Sequence, residues 1–425
     1  MAPRITVESA GETAFVDYTL PTQSAFGEPV SFRSVAEARE ALGAPATANY
    51  VMWPSGAQYL HQALRGLGAN DILVLPEREQ PYLLDTRDGF RAAGVDAVEN
   101  PDGSWMSVKR TYFDTGSNAN MWFAMTRAQK GIMGMGPGAV IRLTDSAYSQ
   151  GPQKSPPLNV SNPTTEQQRR VRYTNGAIGI LSGAQEKLIE TEIDGAFFGN
   201  FKAFGRSLGG VAFTGITAAR SVSYVNLALR GFGSGFSGVP NGEAGALAAS
   251  NGTYRIENVD IDSRDEAGTP IGTSPIMWNR SKGGTMKNVR ARFHRFGMPA
   301  MWGSTGYHQW EDVFITDGHE VGVNFERNNG GLTLEWKRGA LEAASGTYHV
   351  IVNSHDGTSQ KMTFTDVEAI GGRAGDGVLT FHGYNYGGEA HGQRAADLVR
   401  VIGGVRYPSR LDHTGPSRSY GTIYA

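Results

Sequence analysis

Residues 254–262 read YRIENVDID and residues 284–293 read GTMKNVRARF, one alternation of apolar and polar positions, each with an asparagine followed by valine near its middle. The phrase recurs as SYVNLAL at 223–229, HQWEDVFIT at 308–316, LTLEWKRG at 332–339 and KMTFTDVEAI at 361–370. Aligned on Asn226, Asn258, Asn288, Asp312, Glu335 and Asp366, the steps are 258−226=32, 288−258=30, 312−288=24, 335−312=23 and 366−335=31. A period of two within each phrase marks a half-buried strand. A longer period between phrases marks stacked units that bury one shared core.

A second series falls mostly between members of the first: PIMWN at 275–279, PAMWG at 299–303, VGVNF at 321–325, HVIVNS at 349–354 and GVLTFHG at 377–383. One period therefore holds two short apolar strands and their turns. A propeller blade needs four strands in about 40–45 residues, more than these steps allow. Strands that recur once per coil and stack on their own kind predict an all-β parallel β-helix from about residue 120 to 404. The rule for parallel crossovers makes it right-handed. Val259, Val289, Val313 and Val367 are expected inward in one sheet. Asn226, Asn258, Asn288, Asn324, Asn353 and Asn385 are expected to form a corner amide ladder.

Composition fits. The 425 residues include 57 Gly, suited to tight corners, and no Cys, which excludes a disulfide scaffold or thiolate metal site. With 39 basic and 41 acidic residues the chain offers no electrostatic case for nucleic acid or an anionic membrane. No run of about 18 apolar residues predicts a membrane span. The first residues, MAPRITVESAGETAFVDY, lack an apolar stretch and are not read as a secretory signal.

Residues 1–50 read as a separate N-terminal attachment or assembly element, in which Ser34 caps a helix, VAEAREAL, closed by Gly43. Residues 51–145 read as a capping amphipathic helix near 58–67 and the first β-helix coils, with a strand at 72–75 stopped by Pro76 and a strand running into the corner Gly134-Met135-Gly136-Pro137-Gly138. That corner needs a following helix to be a phosphate loop, and AVIRL reads as strand. Residues 146–175, polar and proline-rich, read as a surface excursion. Residues 176–404 form the main β-helix, with irregular coils around 193–204 and 224–230, and 405–425 a non-repetitive tail.

The order helix, GANDILVLPEREQPYLLD (68–85), then RAQKGIMGMGPGAVIRL (127–143) resembles the start of pectin-lyase-like right-handed β-helices. In that family a helix caps the open end and the next strand ends in a P-x-G-x-Y corner. Here Pro76 and Tyr82 remain, but Glu77-Arg78-Glu79 replaces the glycine and lengthens the corner. The wording also resembles minor tail proteins, tail fibres and tailspikes of phages infecting actinobacteria. The resemblance implies a virion-tail location, association with other tail proteins, a homotrimer, and contact with a glycan of the host envelope. Members of the wider family include polysaccharide lyases and glycoside hydrolases, so fold alone does not decide activity.

Asp260 and Asp262 share one strand face, with Asp312 expected two coils on and Arg290 and Arg292 in the coil between. Hydrolases use paired carboxylates. In the lyase alternative such carboxylates hold Ca²⁺ and an Arg abstracts the proton; otherwise no cofactor or metal is expected. Mutual compensation of a charge ladder explains the same residues without chemistry. The phrases N-T-D, D-D, G-H-G, R-I-K and W-I-D-H of family enzymes do not occur. The histidines are scattered, with no three-ligand spacing. The aromatics Trp302, Tyr307, Trp310, Trp336, Tyr384 and Tyr386 recur coil by coil; such rings either stack on sugars or fill the core. Two readings stand: a tail protein binding an envelope glycan, or a depolymerising lyase or hydrolase.

Overall fold

The structure is a computed structural model that describes residues 26–65, 67–84, 96–99, 105–108, 122–127, 130–143, 185–191, 195–215, 221–237, 252–262, 264, 276–279, 281–292, 300–302, 304–317, 322–326, 331–353, 361–373, 378–384 and 399–408. Its strands form a parallel β-helix. One ladder begins at Asn49–Met52 and passes through Asp71–Leu75, Gly131–Gly134, Ala196–Gly215 and Ser221–Ser237. It continues through Thr253–Asp262, Gly283–Arg292, Gly306–Thr316, Leu332–Ala343 and Lys361–Gly371 to Val399–Ile402. The stack thus starts well before residue 120. It also runs past Gly404, because Arg406 and Tyr407 pair with Ala369 and Ile370. Ala196–Gly215 and Ser221–Ser237 pair in regular register as far as Phe204 and Arg230, so these coils are not irregular there.

The long strands bend at one residue each, dividing the ladder into two faces. Asn200, Asn226, Asn258, Asn288, Asp312, Arg338 and Asp366 all take φ between 51° and 62°. A short polar side chain visits this left-handed region at least cost, which is why the recurring polar residue is mostly Asn or Asp. The bend in the fifth phrase is Arg338, not Glu335: Glu335 pairs with Gln309 and Thr363 and faces outward. The residues after the bends stack as Leu227, Val259, Val289, Val313, Gly339 and Val367. All four expected valines are buried in that row.

The second series makes the third face: Ile276–Asn279, Ala300–Trp302, Val323–Glu326, Val350–Asn353 and Phe381–Tyr384 stack in order. Asn324 and Asn353 lie on this face and belong to no corner ladder, while Asn385 is outside the described residues. The excursion at 146–175 and the tail from 409 are outside them too.

Helix α1 (Val35–Leu42) and helix α2 (Leu60–Arg65) do different work. The Ser34 hydroxyl accepts from Glu37 N–H and Gly43 closes α1 at φ 60°. The apolar side of α1, with Ala38 and Leu42, covers outward-facing Ile72, Val74, Met133, Phe197 and Val225. Arg255 Nη1 donates to the Leu42 carbonyl at 3.0 Å, meeting the partial negative charge of the helix end. Leu60, Ala63 and Leu64 of α2 join the interior core and plug its N-terminal end. In the lengthened corner, the Arg78 guanidinium lies 3.4 Å from the centre of the Tyr82 ring, and Tyr82 Oη donates to Pro76 O at 2.7 Å. Gly134 through Gly138 turns into strand Val140–Leu143, a solenoid corner with no helix after it.

Candidate functional site

Asp260 and Asp262 are brought together as the period-two reading requires, and both are buried. The guanidinium of Arg290 pairs bidentately with Asp260, Nε to Oδ1 at 2.9 Å and Nη2 to Oδ2 at 2.8 Å. Arg292 Nη2 adds a 3.2 Å bond to Asp260 and stands 3.7 Å from Asp262. Arg264, which sequence reading passed over, pairs with Asp262 through Nε at 2.9 Å and Nη2 at 2.6 Å. Its signal was available: a basic residue two positions after the carboxylate, at the end of the strand.

Asp312 does not join this cluster. It sits at the bend, where both its carboxylate oxygens accept from Arg338 at 2.9 Å. The hydrogen bonds to Asp262 and to Asp260 raise the pKa values of Arg264 and Arg290 respectively, against burial, with a smaller contribution from the Asp317 charge. Burial would raise the Asp262 pKa, but hydrogen bonds and charge from Arg264, with Arg292, outweigh it and hold the carboxyl below its usual range. Burial lowers the Arg292 pKa, against the raising pull of Asp260.

A general acid must hold a proton near neutral pH, and Asp262 is shifted the wrong way. A nucleophile or base must present an oxygen to substrate, and both oxygens of Asp260 accept from arginine. The arrangement is a compensated charge ladder across two rungs. Among the described residues no group of three or more His, Asp or Glu side chains is placed to hold a metal ion.

The aromatic candidates divide. Trp310 and Trp336 are inside the solenoid, 1% and 0% exposed, with ring centres 5.0 Å apart, so neither reaches a sugar at the surface. Their positions alternate inward with Ile256, Met286 and Phe364 in one row, which the sequence signalled by putting each between two polar neighbours. Trp310 Nε1 donates to Tyr254 Oη at 3.0 Å, and Tyr254 Oη donates to His308 Nδ1 at 2.8 Å. His308 Nε2 lies 3.0 Å from the Thr305 carbonyl, an acceptor, which fixes the proton on Nε2. Burial drives the His308 pKa to about 4 despite that bond. His349 is built alike: Nε2 meets the Ile370 carbonyl at 3.1 Å, Nδ1 accepts from Thr380 N at 3.1 Å, and burial with the Arg406 charge brings its pKa to about 4. These histidines are satisfied core groups.

Tyr307 is 45% exposed on the first face. Gln309 Nε2 donates to its hydroxyl at 3.0 Å. Around it the outward rows read Arg255, Thr285, Gln309, Glu335, Thr363 and Glu257, Lys287, Glu311, Lys337, Thr365, a polar surface on which the second row alternates in charge and Arg255 reaches the end of α1. Trp302 and Tyr384 share a column of the third face, with Glu326 and Asn353 between them. Their side chains, and all of Tyr386, lie outside the described residues.

No protein-family model matches the chain, and no curated protein does. Among solved structures it is similar to catalytic domains of GH87 alpha-1,3-glucanases. For one in complex with tetrasaccharides the TM-score is 0.33 at 11% identity, covering 84% of this chain and 68% of that one. For one in complex with nigerose the TM-score is 0.26 at 8% identity, covering 84% and 68%.

Proposed function

We propose that the protein is a virion tail component, a minor tail protein, fibre or spike, that holds a glycan of the host envelope without cleaving it. The observation that carries this reading is the neutralisation of the acidic cluster: Asp260 and Asp262 each spend their oxygens on guanidinium groups. Tyr307, exposed on a polar face carrying Thr285, Thr333, Gln309 and Glu335, offers a ring and hydrogen-bonding groups of the kind that bind sugars. Formal net charge of −2 suits a target held by stacking and hydrogen bonds. The tail assignment itself rests on the resemblance of residues 68–143, and other tail proteins and further copies of the chain are its partners under this reading.

The test is incubation with purified host envelope polysaccharide, assayed for binding, new reducing ends and unsaturated uronates. Saturable binding with no new ends is expected, and Tyr307→Ala should weaken it at least fivefold while leaving the melting temperature within a degree. Release of new ends would hand the function to the depolymerase alternative. One observation favours a lyase over a hydrolase within that alternative: Arg292 is a half-buried guanidinium 3.2 Å from Asp260, and burial lowers its pKa. Unsaturated uronates lost in Arg292→Lys would establish it.

A further inference from the structure

Residues 26–32, AFGEPVSF without its first letter, lie outside the solenoid as a strap across the bent corners. Phe26 packs edge-on to Phe314 at 5.5 Å between ring centres, with Arg290 4.9 Å over its ring. Gly27 N donates to Asn258 Oδ1 at 3.1 Å. Val30 treats Asn200 as a strand edge: its N–H donates to Oδ1 at 2.7 Å and its carbonyl accepts from Nδ2 at 2.8 Å. Phe32 N donates to Met135 O at 2.9 Å. As residue number rises along the strap, the rungs descend from Phe314 to Met135. From Gly27 at Asn258 to Phe32 at Met135 the strap descends three rungs, about 14 Å.

The corner amides are bonded to one another without the strap. Asn258 Nδ2 donates to Asn226 Oδ1 at 2.9 Å, Asn288 Nδ2 to Asn258 Oδ1 at 2.8 Å, and Asn200 Nδ2 to Gly134 O at 2.9 Å. The strap takes remaining lone pairs of the Asn258 and Asn200 amides and an N–H of Asn200 Nδ2, and joins no sheet ladder. Phe26, Gly27 and Pro29 are buried, and Glu28, Val30 and Ser31 are exposed. Gly27 sets its selectivity: φ is 67°, and a Cβ there would stand 2.3 Å from Leu227 O and 2.7 Å from Asp260 N.

We propose that the amide-lined corner is a peptide-binding rail, and that neighbouring copies of the chain exchange residues 26–32 across it. The occupant is a second copy because the rail's fittings match this sequence at separate points: an aromatic pocket, a site that admits only glycine, Lys202 3.1 Å from Glu28, and Glu77 2.6 Å from the Ser31 hydroxyl. Exposed Arg33 is the pivot between the strap and the Ser34 cap of α1. The proposal is independent of the glycan reading.

The chain has no cysteine, so full-length Glu28→Cys and Lys202→Cys chains can each carry a single thiol. A short bis-maleimide should cross-link the Glu28→Cys/Lys202→Cys double variant within one chain. An incubated mixture of the single variants should yield a cross-linked mixed dimer. Gly27→Val added to the Glu28→Cys chain should cut that dimer at least tenfold. Excess synthetic peptide of residues 24–33 should suppress it likewise, and the same peptide carrying Gly27→Val should not. A mixture that gives no dimer, or a dimer indifferent to both peptides, overturns strap exchange.

Discussion

Arg338 is the residue out of character at the bends. It holds φ 54° where the neighbouring rungs use Asn or Asp, and its side chain leans on Asp312 and Glu311 at an exposed site. Exposed ion pairs contribute little, whereas a long side chain in the left-handed region costs about 1 kcal/mol. Arg338→Asn should therefore stabilise the protein by about 0.5–1 kcal/mol, its amide still able to donate to Asp312, and urea unfolding will measure it. Trp310 makes the opposite case. Trp310→Ala empties core volume and strips Tyr254 Oη of a donor, so a loss of about 3–5 kcal/mol is expected. An unchanged melting temperature would return Trp310 to the surface.

At the scale of elements, the polarity of the stack is visible in its end. Leu60, Ala63 and Leu64 of α2 close the first rungs over the core. Leu64→Ala should cost about 2–4 kcal/mol, and Leu64→Asp should open the end and expose a strand edge, a template for association. Light scattering that shows only monomer for a folded Leu64→Asp chain would refute this. The two strand series, the α1 caps and the α2 plug were legible in the sequence because each rests on local period or a single capping residue. What stayed hidden depends on register. Arg338 breaks the residue type expected at a bend, so the phrase around Glu335 aligned three residues early and the step lengths looked more uneven than they are. Inward Trp310 and outward Tyr307 are both aromatic; polar neighbours on both sides mark Trp310, and the bend, by fixing which parity faces in, places Tyr307 outside. Arg264 lies just past the alternating phrase, where period two no longer assigns a face. Compensation of Asp260 by Arg290 and Arg292 was open to sequence as one of two readings, and the neighbouring rung in place decides for it.

For the whole molecule, pH should act in two windows. His308 and His349 have folded pKa values of about 4 against an unfolded value of 6.5. As pH falls below about 6.5 the unfolded chain takes up protons that the native chain refuses. Stability is therefore full above that pH and declines until about pH 4, where the native histidines also protonate. The combined loss is about 7 kcal/mol at most by linkage. Asp262, whose pKa is lowered, acts in a separate and lower window, stabilising above its unfolded value and losing that as pH falls toward its folded one. Melting temperatures should hold level from pH 7.5 to about 6.5 and fall from there to pH 4, and His308→Gln should flatten that slope. The unbroken register from Asn49–Met52 to Val399–Ile402 has one more result, for size. Each rung adds about 4.8 Å along the axis whatever the length of its loops. Duplicating one segment of sequence would lengthen the stack by that increment, while insertions in the loops would thicken it and leave its length unchanged, so the long dimension of the fold changes only in whole rungs.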